Sequence, residues 1–149
     1  MRTRARVNAL RKIAQLRDLQ RVAAEMEAAR ASARLHGLDA DRDECLAVLG
    51  TDEKSWAAQL TGATINVGMA LAWSDAVRNR EGDIHRMNQE IWSAESDRSD
   101  RIAELQRAVA QADVAGQLAS KARRDMARKH EEAVLNDLGD RMTWRSAGS

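Results

Sequence analysis

The chain has 149 residues, 44% hydrophobic and 32% charged, with a formal net charge of +1 and no proline, phenylalanine or tyrosine. Its only aromatics are four tryptophans, which would hardly fill a thick globular core, so a thin, elongated helical body of one domain fits better. The single cysteine, Cys45, excludes an intramolecular disulfide and suits a reducing compartment, and no apolar run is long enough for a signal peptide or a membrane span, which makes a cytoplasmic protein the expectation.

Residues 2–36 read as a first helix. Its apolar positions are Val7, Leu10, Ile13, Leu16, Leu19, Val22, Met26, Ala29 and Ala33. Steps of three wrap this stripe around the helix as far as Val22, and the fours that follow straighten it. Cys45, Leu46 and Leu49 carry the helix past His36-Gly37 to about residue 49. Arg2, Arg4, Arg6, Arg11, Lys12, Arg17 and Arg21 stand against the lone acid Asp18 near the start, whereas Asp39, Asp41, Asp43, Glu44, Asp52 and Glu53 are opposed only by Arg42. Charge is therefore expected to vary along the molecule's length.

Gly50-Thr51-Asp52 is the clearest punctuation. Glycine can close a helix in the left-handed conformation, and Thr51 or Asp52 can cap the next. A tip over about 50–68 follows, with Ser55 to Leu60 as a short helix and Thr61-Gly62-Ala63-Thr64 as a second weak point. Ile65, Val67, Met69, Leu71 and Trp73 alternate as a strand would. No second strand exists to pair with them, so the segment is assigned to a loop leading into a helix.

That second helix is expected over about 70–138, with Gly139 near its end and a flexible tail at 143–149. Stepping by seven gives Ile84, Ile91, Arg98, Leu105, Ala112, Ala119, Met126 and Ala133; a companion series runs Met87, Ala94, Ile102, Val109, Gly116, Ala122 and His130. A seven-residue repeat places one apolar seam along a helix, and a rod of about 75 Å cannot bury it against itself. The reading is an all-α, elongated antiparallel two-helix coiled-coil hairpin with a short irregular or helical tip. Antiparallel pairing would bring the basic start beside Lys121, Arg123, Arg124, Arg128 and Lys129, leaving an acidic tip that bears tryptophan.

Catalytic and metal motifs fail one by one. Asp39-Ala40-Asp41-Arg42-Asp43 opens like a calcium loop, but Glu44 replaces the glycine and Gly50 the closing glutamate. His130-Glu131 opens like a zinc-protease helix, with Val134 where the second histidine belongs. No phosphate-binding loop is present, Cys45 has no activating histidine nearby in sequence, and carboxylates on a thin rod stay solvated. No enzyme, cofactor or small-molecule substrate is expected. Nucleic acid is the weaker alternative for the basic segment, because no aromatic interleaves the arginines.

The tryptophans read separately. Trp92 follows the seam residue Ile91 and packs beside it; Trp56 and Trp73 either anchor a partner at the tip or pack together to close it; Trp144 lies in the tail.

The run Asn8-Ala-Leu10-Arg-Lys-Ile13-Ala-Gln-Leu16-Arg-Asp-Leu19-Gln-Arg-Val22-Ala, followed by an alanine-rich helix, a loop with a nearby tryptophan and a long second helix, resembles the FliJ/YscO family of flagellar and type III export machines. The resemblance implies a stalk like that of a rotary ATPase, peripheral to a membrane-embedded secretion apparatus. Its terminal end would sit in a hexameric export ATPase, its loop end would reach an export-gate protein, and export chaperones are further partners. On charge and position, Arg2, Arg4, Arg6, Arg11, Lys12, Lys121, Arg123 and Arg124 would contact the ring, and Trp56, Trp73, Asp39, Asp41 and Asp43 the gate. A generic coiled-coil adaptor or chaperone for another client is the alternative.

Overall fold

The computed structural model describes residues 2–148 and is all-α. Helix α1 spans Arg2–Thr61 and helix α2 spans Val67–Ala147, packed against each other. Both are rich in alanine and arginine, which lose little side-chain freedom in a helix, and neither contains proline.

The connection is shorter and later than the expected tip. It comprises residues 62–66. Gly50-Thr51-Asp52 lies inside α1 and no glycine among the described residues has positive φ, so no left-handed cap forms there. Packing overrides the local signal. Leu49, Asp52 and Trp56 are half-buried and Cys45 is buried, which offsets a cost of about 1 kcal/mol for one internal glycine. The Thr51 hydroxyl donates to the Ala47 carbonyl at 3.2 Å instead of capping a new helix.

Asn66 starts α2. Its Oδ1 accepts the Met69 N–H at 3.2 Å and its carbonyl accepts the Ala70 N–H at 2.9 Å, a side-chain N-cap. The alternation from Ile65 to Trp73 therefore runs into the first turns of a helix. At the other end α2 continues through Gly139, and residues 143–147 of the expected tail are helical; Ser149 lies outside the described residues. Thr143 Oγ1 donates to the Gly139 and Asp140 carbonyls at 3.1 and 2.9 Å.

The hairpin divides into two compact units, one of residues 1–25 with 104–149 and one of residues 26–103. In the second, Ser32 accepts from Arg98 Nε (3.1 Å), Arg42 donates to Asn88 (3.4 Å) and Arg80 meets Asp52 (3.6 Å), so α1 and α2 run antiparallel there. Its seam keeps a strict 3-4 spacing: Ala28, Ala31, Leu35, Leu38, Arg42, Cys45, Leu49, Asp52 and Trp56 on α1 face Trp73, Val77, Arg80, Ile84, Met87, Ile91 and Ala94 on α2. Ala28, Ala31, Cys45, Val77, Ile91 and Ala94 are buried. Burying Ile91 alone is worth about 1.5–3 kcal/mol.

In the first unit the same spacing continues as Val7, Leu10, Ala14, Arg17, Arg21 and Ala24 opposite Leu105, Ala108, Ala112, Ala115, Ala119, Ala122 and Met126. Only Ala115 is buried. This corrects the stripe expected from sequence. Each step of three falls about 60° short of a full turn, so after Leu10 the series Ile13, Leu16, Leu19 and Val22 swings away from α2 and stays exposed. The companion series on α2 shifts likewise: Ala108 and Ala115, rather than Val109 and Gly116, continue the seam.

Candidate functional site

The first unit assembles the sequence's basic residues on both of its helices. Arg6 from α1 and Lys121 and Lys129 from α2 line one groove with Thr3, Val7, Leu10, Leu118, Ala122 and Asp125. Asp125 is the only acid in this groove, and it is already 3.7 Å from Arg128. Arg2, Arg4, Arg11, Lys12, Arg123 and Arg124 lie on the same two stretches of helix and are exposed. Among the described residues none of these cations, nor Arg6, Lys121 or Lys129, forms an ion pair within 4 Å.

Beside this groove an apolar one opens, floored by Leu10, Ile13, Ala110, Val114, Ala115 and Leu118. Ile13 and Leu118 occupy flanking positions where coiled coils usually carry charge. Arg17 closes its far end, donating to Gln20 Oε1 at 3.0 Å and Gln111 Oε1 at 2.9 Å. One turn further, Arg21 bonds Asp18 and Glu25. Its guanidinium is held above the usual arginine value by the hydrogen bonds it donates to Asp18, then by the charges of Asp18 and Glu25.

Charge is divided between the units. Residues 1–25 with 104–149 hold 15 Lys+Arg against 9 Asp+Glu, a formal +6; residues 26–103 hold 9 against 14, a formal −5. In the acidic unit most cations are matched: Arg30 with Glu27, Arg42 with Asp39 and Asp43, Arg80 with Asp52, Arg86 with Asp83, Arg101 with Asp97.

The residues expected at the tip are not gathered there. Asp39, Asp41 and Asp43 sit about 20 residues, or roughly 30 Å of helix, before the connection. Asp39 is half-buried beside Arg42 at 3.4 Å, and Asp41 and Asp43 are exposed. Trp56 and Trp73 are half-buried at seam positions. The connection and the helical turns beside it instead expose Leu60, Ile65, Val67, Met69 and Leu71. Trp92 does flank Ile91, yet at 77% exposure it packs little, and Trp144 is 85% exposed on the last turns of α2.

The apolar groove went unread in sequence although its signal was present: Val114 and Leu118 belong to neither seven-residue series on α2. Among the described residues no three His, Cys, Asp or Glu come together as a metal site, and no helix is long and apolar enough to cross a membrane. No protein-family model, curated protein or solved structure matches the chain.

Proposed function

We propose that the protein is a non-catalytic coiled-coil adaptor that docks through its basic unit on an acidic protein surface, as the FliJ/YscO resemblance implies for the ring of a hexameric export ATPase. The observation that supports this reading is the run of unpaired cations on both helices of that unit, beside exposed Ile13, Val114 and Leu118. Unpaired arginines and lysines on the rim of an interface raise association rates and select acidic partners. Apolar floor between them favours a protein over a nucleic acid, which would use the charge alone. The exposed Ile65, Val67, Met69 and Leu71 at the connection then form the contact for a second protein, the export gate in this reading.

The role is mechanical. The basic unit engages a ring and the connection a second component, and neither contact performs chemistry. Mixing the full chain with a purified hexameric export ATPase tests the proposal: a complex should form at low salt and ATP hydrolysis should rise. No complex with such a ring at low salt would end the export reading.

A further inference from the structure

Within the basic unit the two helices offer a second 3-4 series to one side of their seam. On α1 it runs Arg6, Leu10, Ile13 and Arg17; on α2 it runs Gln111, Val114, Leu118, Lys121 and Asp125. The basic groove and the apolar groove share Leu10 and Leu118, so they form one trough. It runs from Thr3 to Arg17 along α1 and from Ala110 to Lys129 along α2, roughly 20–30 Å of helix. On its floor Ile13, Val114 and Leu118 are 47%, 57% and 50% exposed. Arg6, Lys121 and Lys129 flank this floor without an ion-pair partner, and the one acid that lines it, Asp125, is paired with Arg128. Asp18 and Asp113, the acids nearest the floor in sequence, line neither part of it, and Asp18 is bonded to Arg21.

We infer that this trough takes one amphipathic helix of another protein, about 15–20 residues long, whose apolar stripe is bordered by acidic side chains. The inference deepens the reading of the basic unit as a contact for an acidic protein and rests on it. Both walls are helices with residues at steps of three and four, so a third helix can set its apolar knobs between them. An extended peptide would bury backbone N–H and C=O groups against walls that offer them no partner. Charge makes the helix acidic. Arg6 and Lys121 lie one turn from Leu10 and Leu118, within reach of carboxylates that border a docked stripe, and Lys129 extends the positive flank about two turns further. The same trough on a second copy would bring cation against cation. A phosphate backbone would cover Ile13, Val114 and Leu118 without gaining from them.

The probe is a labelled helical peptide of about 21 residues, with a heptad stripe of leucines flanked by glutamates. Fluorescence anisotropy against the full chain at low salt should show saturable binding, and the same peptide with lysines in place of the glutamates should bind at least about tenfold weaker. Val114→Ser with Leu118→Ser should weaken the acidic peptide about tenfold, and so should Arg6→Gln with Lys121→Gln. Leu135→Ser, in the same unit but outside the trough, should stay within about threefold. All of these positions are exposed, so the helical circular dichroism should not change. No binding of the acidic peptide overturns the inference, as does binding indifferent to either pair of substitutions. A DNA duplex that binds more tightly and ignores Val114→Ser with Leu118→Ser overturns it in favour of a phosphate backbone. Self-association that shuts the peptide out overturns it in favour of a second copy. A chain that binds the export ATPase but not the peptide loses this inference alone; one that binds the peptide as expected but no ring loses the export reading alone.

Discussion

The two units have the same local plan and opposite use of it. Each sets a 3-4 repeat of α1 against one of α2, but residues 26–103 fill the repeat with Val77, Ile91 and Ala94 buried, while residues 1–25 with 104–149 fill it largely with alanine and two arginines. The larger apolar side chains of the second kind of segment end up outside: Ile13, Leu16, Leu19, Val114 and Leu118 are all exposed. Cations follow a similar division: five of nine are matched to carboxylates in the acidic unit, whereas in the basic unit Arg21, Arg128 and Arg141 are matched and the groove cations Arg6, Lys121 and Lys129 are not. A packed, charge-satisfied segment is a support; an open one with spare charge and apolar surface is a contact. The proposed function assigns the contact to the basic unit on that difference.

Truncations should break the comparison most visibly. Ile91→Ala, in the packed unit, should cost about 2–4 kcal/mol in urea unfolding, whereas Leu135→Ala, at 66% exposure in the other unit, should stay within about 0.5 kcal/mol. Equal losses would mean that the two units are packed alike.

Gly50→Ala sharpens the point from the backbone side. A Cβ added there meets nothing within 4 Å and the residue is helical, so the variant should gain about 0.5–1 kcal/mol. A left-handed cap at Gly50 would instead make alanine destabilising, and the thermal midpoint decides between them.

Asp52→Ala removes the partner of Arg80 at a seam position. The carboxylate is 14% exposed and the guanidinium 43%, so screening by water limits the loss to about 0.5–1 kcal/mol in the same unfolding assay. A loss of several kcal/mol would mean that Arg80 has no route to solvent.

Helical class and the existence of a hairpin were legible because a seven-residue repeat on α2 and the absence of proline leave few alternatives. The α2 seam from Ile84 to Met126 was legible in its first series, since Ile84, Ile91 and Leu105 mark it with large residues. The α1 seam was not. Its true members Ala14, Arg17, Arg21 and Ala24 are smaller or more polar than the leucines beside them, and hydrophobicity alone points to the wrong face. Gly50 and the 65–73 alternation misled for a related reason: both are local signals, and packing against α2 and the Asn66 cap decided the outcome. The basic cluster was readable from charge counts, because antiparallel pairing alone brings the two basic stretches together.

The central claim is that the unpaired cations of the basic unit are the contact. Two triple variants of the full chain make a matched test against the hexameric export ATPase: Arg6→Glu, Lys121→Glu and Arg124→Glu in the basic unit, and the equally exposed, unpaired Arg34→Glu, Lys54→Glu and Arg78→Glu in the other. Titration of each should show the first set binding about tenfold or more weaker and the second within about threefold of the parent chain. Equal weakening by both sets, or none by the first, would contradict the account.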